Sequence, residues 1–555
     1  MSSDRLIYLP LGGAGEIGMN AYVYGYGKQG QERLILVDLG VTFSDMETTP
    51  GVDLIFPDMT WLMENKERLE AIFITHGHED HIGAIGQFWE KLGAPVYARA
   101  FTANLARHKM RDNGQPEEAI RTVSAWPEVT EAGPFKVGFL PMSHSIPESA
   151  ALVIDSPDGR VIHTGDFKLD ETPIVGEPFD PELWASVSKS GVKALVCDST
   201  NVFSRHEGRS EASVGPEIEK LVAAAPQMVV ATTFASNVAR VKTLAEAGER
   251  AGRSICLMGR AMRRMIEAAI ETGVLTDFPK VVSPEDAGNI PRENLMLLAT
   301  GSQGERRAAS AQLARGKHNG ITLKDGDMFL FSSKTIPGNE KGVIRIINQF
   351  SERGVDVVDD SSGLYHVSGH ANRPDLERLQ DIVNPQMVIP MHGEHRHLRE
   401  HAKLSESKGR QSIVAVNGTM LDLSGNEPKV TEFVETGRTY LDGSVKIGAL
   451  DGVVRDRIRM ALNGHVIVNV ILDEDDEPLG EPWVELMGLP EQGSSFAPLV
   501  DVLEEDLNQF LGRAGQKTLA DDDKLEEGLR RVARNSARDE IGKKPEATVI
   551  ISRLS

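Results

Sequence analysis

The 555 residues of the chain are enough for about two to four domains and a sizeable core. A formal net charge of −22 argues against a protein that coats duplex nucleic acid without sequence preference. The two cysteines, Cys197 and Cys256, exclude a disulfide framework, and no apolar run approaches the roughly 18 residues that a membrane span needs. We therefore expect a cytoplasmic protein without a membrane partner.

The first two hundred residues predict a layered α/β domain. Short apolar runs such as RLIYLPLGG, RLILVDLG and AIFITHG alternate with glycine turns, which is typical of strands. HIGAIGQFWEKL, at 81–92, predicts a helix, and further strands follow at KVGFLPMSH, ALVIDSP and ALVCDST. This order of elements places one domain, or its first part, at residues 1–210.

Residues 211–355 predict a second domain, because helices and strands now alternate strictly and so indicate βαβ units around a parallel sheet. The stretch 231–320 has thirteen basic and nine acidic residues, so positive charge is concentrated here. The clustered basic residues are Arg240, Lys242, Arg260, Arg263, Arg264, Arg306 and Arg307. We expect them to form the nucleic-acid-binding surface of an otherwise acidic protein.

The remainder of the chain predicts a return to the first domain and then a separate unit. GLYHVSGHA, MVIPMHGEH and QSIVAVNG, within 356–435, are strand-like runs with histidine-containing turns. A linker is expected at 436–460, and a small α/β domain at 461–555. The latter has ten basic and twenty acidic residues, so we expect it to associate copies of the chain rather than to bind nucleic acid.

The strongest chemical signal is the run His76-Gly-His78-Glu-Asp80-His81, which follows a predicted strand. Imidazole and carboxylate donors at this density suit zinc or a similar divalent ion, and a polar turn with exposed histidines is the alternative. Three more candidate ligands follow strand-like runs and would complete two coordination shells: His144, Asp166 and His392. Asp38, in an apolar strand, is a candidate for orienting a ligand histidine.

A pair of divalent ions can activate a water molecule and bind a phosphoryl oxygen, which favours phosphodiester hydrolysis. The turn HVSGH is suited to the phosphate, because it offers backbone N–H groups and two imidazoles. Its members are His366, Val367, Ser368, Gly369 and His370. A glycine turn with incidental histidines is the alternative.

The motifs THGHEDHIGA, LGGAGEIGMN, FSSKTIPGNE and YHVSGHA together resemble the bacterial ribonuclease J family, in the β-CASP branch of the metallo-β-lactamase superfamily. The resemblance is dense from residue 6 to about 450. It implies a metallo-β-lactamase αββα sandwich, interrupted by an inserted β-CASP α/β domain and followed by a small C-terminal α/β domain.

The resemblance also implies roles for individual residues. One zinc ion takes His76, His78 and His144, the other takes Asp80, His81 and His392, and Asp166 bridges them. The implied catalytic residues are Asp80, Asp166, Asp198 and His370. The implied pocket for a 5′-terminal phosphate contains Ser236, Asn237, Ser332 and Ser333. A structural calcium ion is implied near Gly51, Asp53 and Asp442.

The function that the resemblance implies is a zinc-dependent ribonuclease, with Mn²⁺ and Mg²⁺ left open as alternative metals. It would degrade single-stranded RNA from a 5′ monophosphate and also cut internally, in mRNA decay and the maturation of rRNA 5′ ends. A homodimer or homotetramer formed through the C-terminal domain is expected. The alternatives are a DNA nuclease, a small-molecule hydrolase and an inactive scaffold. His392 argues against DNA, and the basic inserted domain argues against a small substrate.

Overall fold

The computed structural model describes residues 4–554, which form two compact units. The first unit contains the residues up to 42 together with 56–438, and the second contains 43–55 and the residues from 439 onward. Within residues 4–554, no helix is both long and apolar enough to cross a bilayer.

Two large sheets form the frame of the first unit. The eight-stranded sheet contains, in spatial order, Lys429–Phe433, Thr419–Asp422, Arg5–Gly12, Ala21–Gly27, Arg33–Val37, Leu69–Phe73, Val96–Ala98 and Ile120–Thr122. The seven-stranded sheet contains Val129–Ala132, Phe135–Pro141, Ala150–Ser156, Gly159–His163, Ala194–Asp198, Met387–Met391 and Gln411–Ser412. A short parallel pair, Ala14–Gly15 and Gly393–Glu394, accompanies them.

The core of this frame lies between the inner faces of the two sheets. Alternate residues of the strands point inward and exclude water, as Tyr22 and Tyr24 do from one sheet and Val137 and Phe139 do from the other. A second core covers the outer face of the seven-stranded sheet, where Trp184 packs among helical leucines. This layering of helix, sheet, sheet and helix positions the strand ends that carry polar side chains.

Seven α-helices accompany the two sheets. They are Thr60–Glu64, Glu79–Ile82, Ile85–Leu92, Ala100–Asp112, Pro181–Ser188, Arg373–Val383 and His395–Ser407. Pro181–Ser188 begins at a side-chain cap, because Asp180 accepts hydrogen bonds from the backbone of Glu182 and Leu183. The run predicted as one helix at 81–92 is two helices, Glu79–Ile82 and Ile85–Leu92, and the histidine-rich run 76–81 ends in the first of them.

The inserted sheet has six parallel strands, as the alternation in the sequence predicts. Their order is Val281–Val282, Ser254–Met258, Leu295–Ala299, Val229–Thr232, Met328–Phe331 and Asp356–Val358. The helices of this region are Gly215–Ala224, Val238–Arg250, Arg260–Glu271, Pro284–Ala287, Ala309–Arg315 and Glu340–Ser351. Both faces of the sheet are buried, with Leu297 and Phe329 on one face and Leu298 and Leu330 on the other.

The second unit has a three-stranded sheet in the order Trp483–Met487, His465–Leu472, Glu546–Arg553. Its helices are Val453–Asn463, Leu499–Arg513, Gln516–Leu519 and Asp522–Ile541. A hairpin of Arg438–Asp442 and Val445–Gly448 pairs with Leu54–Pro57 and Thr42–Phe43. The segment expected to be a linker, 436–460, thus contains regular structure.

One strand prediction is wrong. The run 363–371 looks strand-like in sequence, but in the structure it is a turn that pairs with no strand. The neighbouring residue Asn372 forms a single β-bridge with Asn201. The glycines and histidines of this run hydrogen-bond to side chains instead of to a neighbouring strand. This difference matters for function, because a turn can present several polar groups to one point.

Candidate metal centre

The strand order brings the polar residues of distant segments to one edge. Gly159–His163, Ala194–Asp198 and Met387–Met391 are adjacent and parallel, so their carboxyl ends carry Asp166, Asp198 and His392 side by side. The facing sheet contributes the loop 76–81, which follows Leu69–Phe73. Ligands commonly bind at the carboxyl ends of parallel strands, and these ends converge here.

The first donor group consists of His76, His78 and His144. The Nδ1 atom of His78 lies 3.2 Å from Nε2 of His76 and 3.1 Å from Nε2 of His144. Donors bound about 2.0–2.1 Å from a tetrahedral zinc ion are about 3.3 Å apart, so these separations fit one ion.

The second donor group consists of Asp80, His81, Asp166 and His392, whose ligand atoms lie within 4.8 Å of one another. Oδ2 of Asp166 is 3.2 Å from Nε2 of His81, and Oδ2 of Asp80 is 3.3 Å from Nε2 of His392. Oδ2 of Asp166 also lies 3.9 Å from Nε2 of both His76 and His144. Asp166 is therefore positioned between the two groups.

A third group overlaps the second and contains Asp198 and His370 with Asp166 and His392. Oδ2 of Asp198 lies 2.8 Å from Nδ1 of His370. The His370 side chain is 23% exposed, whereas those of His144 and His392 are almost fully buried. His370 thus faces the open side of the centre with Asp198 behind it.

Hydrogen bonds to Nδ1 orient several of the histidines so that Nε2 faces the centre. Nδ1 of His81 is 2.7 Å from Oδ2 of Asp38, and Nδ1 of His144 is 2.7 Å from the carbonyl of Gly369. Nδ1 of His76 lies 3.0 Å from the hydroxyl of Thr75. His392 differs, because its Nδ1 lies 3.0 Å from the hydroxyl of Thr200 and 3.1 Å from Oδ1 of Asp166, so both of its nitrogens face carboxylates or hydroxyls of the centre. Such contacts fix the ring orientation of metal-binding histidines. Asp38 has the orienting position that its sequence context suggested.

The backbone is strained at two of these positions. Asp38 has φ +62° and His392 has φ +47°, in the left-handed region that residues other than glycine rarely adopt. Each lies directly after a buried strand that ends at the centre. Strain of this kind costs about 1–3 kcal/mol and is typical of functional sites.

The electrostatics of the centre fit divalent cations. No Lys or Arg of residues 4–554 forms an ion pair with the three buried carboxylates Asp38, Asp166 and Asp198, whose partners are imidazoles and the threonines Thr75 and Thr200. Oδ1 of Asp166 is buried and lies 3.1 Å from Nδ1 of His392. Burial lowers the pKa of His78 to about 4, so its imidazole is neutral and able to bind a metal at neutral pH. The donor set therefore fits metal ions.

The turn 366–370 lies against the centre and is held by a residue that the sequence did not single out. Nδ2 of Asn201 donates to Oγ of Ser368 at 2.8 Å and to the carbonyl of His370 at 3.2 Å. The backbone N–H of His370 donates to Oγ of Ser368. These bonds fix the turn that carries His370.

Asn20 and Thr200 were also missed by the sequence reasoning. Nδ2 of Asn20 donates to the carbonyl of Asp80 at 3.0 Å, and Tyr22 donates to Oδ1 of Asn20 at 2.7 Å. Asn20 lies in the motif LGGAGEIGMN, which contributes to the family resemblance. The spacing of that motif does not indicate that Asn20 contacts Asp80. Thr200 lies in CDSTN and contacts both His392 and Asp198.

The structure separates the four residues proposed to bind a terminal phosphate. Oγ of Ser236 lies 3.1 Å from Nε2 of His78, and Oγ of Ser333 is buried without a hydrogen-bond partner. Ser332 instead donates to the carbonyl of Tyr365 at 2.7 Å. Oδ1 of Asn237 caps the helix Val238–Arg250 by accepting from the backbone N–H of Arg240. Ser236 and Ser333 therefore have hydroxyls available for a ligand.

Two of the seven basic residues assigned to a binding surface belong elsewhere. Arg240 is fully buried, and its guanidinium pairs with Glu211 at 2.6 Å and donates to the carbonyls of Ser332 and Tyr365 at 3.0 Å. Lys242 is mostly buried and pairs with Asp277 at 2.6 Å. The charges of Arg240 and Lys242 are paired with carboxylates of the protein. The periodicity of the sequence alone did not indicate that these two residues are buried.

An arginine side chain lies among the residues that were expected to bind calcium. Nη2 of Arg457 lies 2.6 Å from Oδ2 of Asp442, and Arg457 also lies beside Gly51. Asp53 accepts a hydrogen bond from the backbone N–H of Gly443 at 2.8 Å. A calcium ion at these residues stays a prediction.

Models of known families match most of the chain. Residues 15–204 match the metallo-β-lactamase superfamily, and residues 226–350 match the β-CASP domain of ribonuclease J. Residues 363–416 match the RNA specificity domain of Zn-dependent metallo-hydrolases, and residues 452–554 match the C-terminal domain of ribonuclease J. The predicted fold class is confirmed by these matches together with the sheets described above.

Relatives and a solved structure agree with this assignment. Ribonuclease J of Sinorhizobium meliloti is 40% identical over 99% of this chain and 98% of its own length. Ribonuclease J of Corynebacterium glutamicum is 36% identical over 91% of this chain and 70% of its own length. A crystal structure of a protein of unknown function from Enterococcus faecalis V583 is similar in fold, with a TM-score of 0.53, 15% identity and coverage of 75% of this chain and 100% of that chain. The chain belongs to the ribonuclease J family.

Proposed function

We propose that this protein is a cytoplasmic ribonuclease that removes nucleotides from the 5′ end of single-stranded RNA, prefers a 5′ monophosphate and also cuts internally. Its roles would be mRNA decay and the maturation of rRNA 5′ ends. The single observation that carries the proposal is the position of Asp166 between two donor groups, with the half-open His370 beside them.

The two donor groups would hold two zinc ions. His76, His78 and His144 would bind one, and Asp80, His81 and His392 the other, with Asp166 shared. The predominance of imidazole favours zinc, although Mn²⁺ and Mg²⁺ accept the carboxylates. When bound, such a pair supplies a hydroxide nucleophile at neutral pH and neutralises charge on the phosphate.

His370 is suited to protonate the 3′ oxygen that leaves the phosphorus. Burial on its own would lower the pKa of His370, but the charge and hydrogen bond of Asp198 outweigh this and raise the pKa. Nδ1–H of His370 donates to Asp198, so Nε2 carries the second, transferable proton when the imidazole is charged. Asp198 therefore orients a general acid, and its own role is positioning.

Recognition of the 5′ phosphate would involve Ser236 and Ser333. Ser333 supports this most directly, because a buried hydroxyl without a partner is costly unless a ligand binds it. Ser236 is near enough to His78 to place the terminal phosphate next to the metal centre. Ser332 and Asn237, whose side chains bind the backbone, would hold these two in position.

Association of copies of the chain would involve the second unit. One face of its three-stranded sheet is covered by helices, where Val466, Val468 and Val470 are buried. The opposite face exposes Trp483 and Met487, each by more than half of its surface. An apolar face of this kind supports a homodimer or homotetramer, because water-exposed aromatic area is unfavourable.

The test of the proposed activity is a time course on two RNAs of one sequence, one with a 5′ monophosphate and one with a 5′ triphosphate. The products are resolved at single-nucleotide length, and bound metal is measured by elemental analysis of the same preparation. We expect mononucleotides or very short products from the monophosphorylated RNA, and slow internal cuts in the other. Equal rates with no products from the 5′ terminus would reject the end-recognition proposal.

A double variant tests the phosphate pocket. Ser236→Ala with Ser333→Ala should reduce the preference for the monophosphate, because both hydroxyls that could bind the terminal group are lost. Ser186→Ala, at an exposed hydroxyl that bonds only within its own helix, is the matched control.

A further inference from the structure

A basic cleft on the inserted domain is not used by the proposed chemistry. It has a volume of about 230 Å³ and lies between the helices Ala309–Arg315 and Glu340–Ser351. The polar residues that line it are Arg306, Arg315, Arg345 and Gln349, and the apolar ones include Ala311 and Ile346. Gly304 closes one end, where a Cβ atom would lie 2.5 Å from the carbonyl carbon of Gly342.

The three guanidinium groups of this cleft have no acidic neighbour to neutralise them. Within residues 4–554, neither Arg306, Arg315 nor Arg345 forms an ion pair, and the one hydrogen bond among them runs from Arg315 to the carbonyl of Arg306. Arg250, on the same domain, pairs with both Glu219 and Glu246. Clustered guanidinium groups without carboxylates repel one another unless an anion lies between them.

The apolar part of the cleft narrows the choice of anion. Ile346 and Ala311 line it beside the guanidinium groups, so a ligand with both a phosphate and an apolar surface fits better than a bare inorganic ion. A nucleotide unit of RNA has both, because its ribose and base are largely apolar on their faces. Guanidinium groups bind phosphate oxygens in pairs, which suits a phosphodiester.

The cleft is connected to the candidate phosphate pocket by direct hydrogen bonds. Its loop follows the strand Leu295–Ala299, which neighbours the strand that ends before Ser236. Nε2 of Gln303 donates to the carbonyl of Lys334, next to Ser333, and Oε1 of Gln303 accepts from the N–H of Ile336. The segment 332–336 thus contacts Gln303, beside Gly304 of the cleft, and it also contacts the segment that contains Ser236, because Thr233 donates to the carbonyl of Ser332.

We propose that this cleft binds the phosphodiester backbone of RNA nucleotides that lie on the 5′ side of the phosphate pocket. The inference rests on the proposed function, in which a 5′-terminal phosphate binds at Ser236 and Ser333. When RNA is digested from its 5′ end, the terminal phosphate occupies that pocket and no nucleotide lies on the 5′ side of it. An RNA cut internally continues past the pocket, and its upstream nucleotides need a second binding site.

The test compares Arg306→Gln/Arg345→Gln with the native protein on two substrates. One is a short RNA with a 5′ monophosphate, and the other has a 5′ triphosphate and a long single-stranded leader that is cut internally. We expect KM for internal cleavage to rise about tenfold with kcat nearly unchanged, while digestion from the 5′ monophosphate changes by less than twofold. Arg250→Gln removes the same charge from a paired position and should behave like the native protein.

A second measurement does not require internal cleavage. The long-leader RNA should inhibit digestion of the short monophosphorylated RNA, and its inhibition constant should rise about tenfold in the double variant. The slope of log inhibition constant against log salt should fall by about 1.4, because two phosphate contacts on a single strand are lost.

Three outcomes would overturn the inference: unchanged values in the double variant, equal losses on both substrates, or equal losses in Arg250→Gln. Failure of the native protein to digest the monophosphorylated RNA from its end would instead reject the proposed function. The two failures are therefore distinguishable.

Discussion

Asp166 is the side chain that both donor groups share, since Oδ2 lies within 3.2–3.9 Å of imidazole nitrogens from each. Asp166→Ala should abolish RNA hydrolysis, because it removes a donor from each group at once. RNA affinity should fall much less, since the basic surfaces of the inserted domain are unchanged. Cleavage and equilibrium binding are measured separately, with Asp381→Ala at an exposed carboxylate as the control. Near-native turnover in Asp166→Ala would contradict the two-metal assignment.

His370 is proposed to protonate the leaving 3′ oxygen, and this step is the same for every RNA substrate. His370→Ala should therefore slow monophosphorylated and triphosphorylated RNA by the same factor, about 10²–10⁴ for loss of a general acid. Rates under single-turnover conditions on both RNAs give the comparison. The Ser236→Ala/Ser333→Ala variant serves as the contrast, because it should affect the monophosphorylated RNA more. If the cleavage rate fell on only one of the two RNAs, His370 would be assigned to recognition of the 5′ end instead.

At this scale, the density of histidine and aspartate in residues 76–81 predicts a group of metal donors, and the fold brings His144, Asp166 and His392 to the same place. Thr200, Asn201 and Asn20 could not be predicted in the same way. Serine, threonine and asparagine are common in turns, so only the fold shows that Asn201 reaches a segment 167 residues away. Metal occupancy and the residues of the phosphate pocket stay predictions until they are measured.

Among the elements, the helix Val238–Arg250 is tied to its surroundings by the buried pair of Arg240 and Glu211. Arg240→Met should lower the free energy of unfolding by about 3–5 kcal/mol, because it leaves Glu211 buried without its main counter-charge. Arg240→Met/Glu211→Met should recover most of this loss, since two apolar side chains replace two charges. Chemical denaturation of the two variants gives the comparison. Additive or larger losses in the double variant would contradict this account.

The helix Arg260–Glu271 carries three exposed cations, Arg260, Arg263 and Arg264. Arg263 and Arg264 are exposed, and only Arg264 has an acidic neighbour, Asp112 at 3.8 Å. Arg263→Gln/Arg264→Gln should flatten the slope of log RNA affinity against log salt, because phosphate contacts release counterions. Titrations at several salt concentrations measure the slope, with Arg250→Gln as the control. An unchanged slope would mean that RNA passes elsewhere on the domain.

Periodicity predicts the elements of the inserted domain well, because a parallel sheet covered on both faces requires strictly alternating strands and helices. It fails for 363–371, where valine and leucine between glycines look like a strand. There, hydrogen bonds from Asn201 and Arg209 hold the chain as a turn, and such long-range side-chain contacts leave no local pattern in the sequence.

Across the whole molecule, charge is distributed unevenly along the chain. The stretch 231–320 is basic by four charges, while 461–555 is acidic by ten and the total is −22. Because like charge repels the RNA backbone, the acidic end of the chain is unsuited to bind substrate. Its exposed apolar sheet face is instead proposed to associate copies of the chain.

On that face, Trp483 and Ile550 flank Asn469 in the ladder, and Met487 lies further along the same side. Their exposed fractions are 54%, 47% and 55%. Trp483→Glu should shift the protein towards monomer in sedimentation-velocity experiments, because a carboxylate cannot be buried there without a partner. The unfolding midpoint should change little, since Trp483 is already exposed and the core of the unit lies on the opposite face. Leu450→Glu, at a residue that is 94% exposed outside this sheet, is the control and should leave assembly unchanged. An unaltered sedimentation coefficient in Trp483→Glu would place the association surface elsewhere.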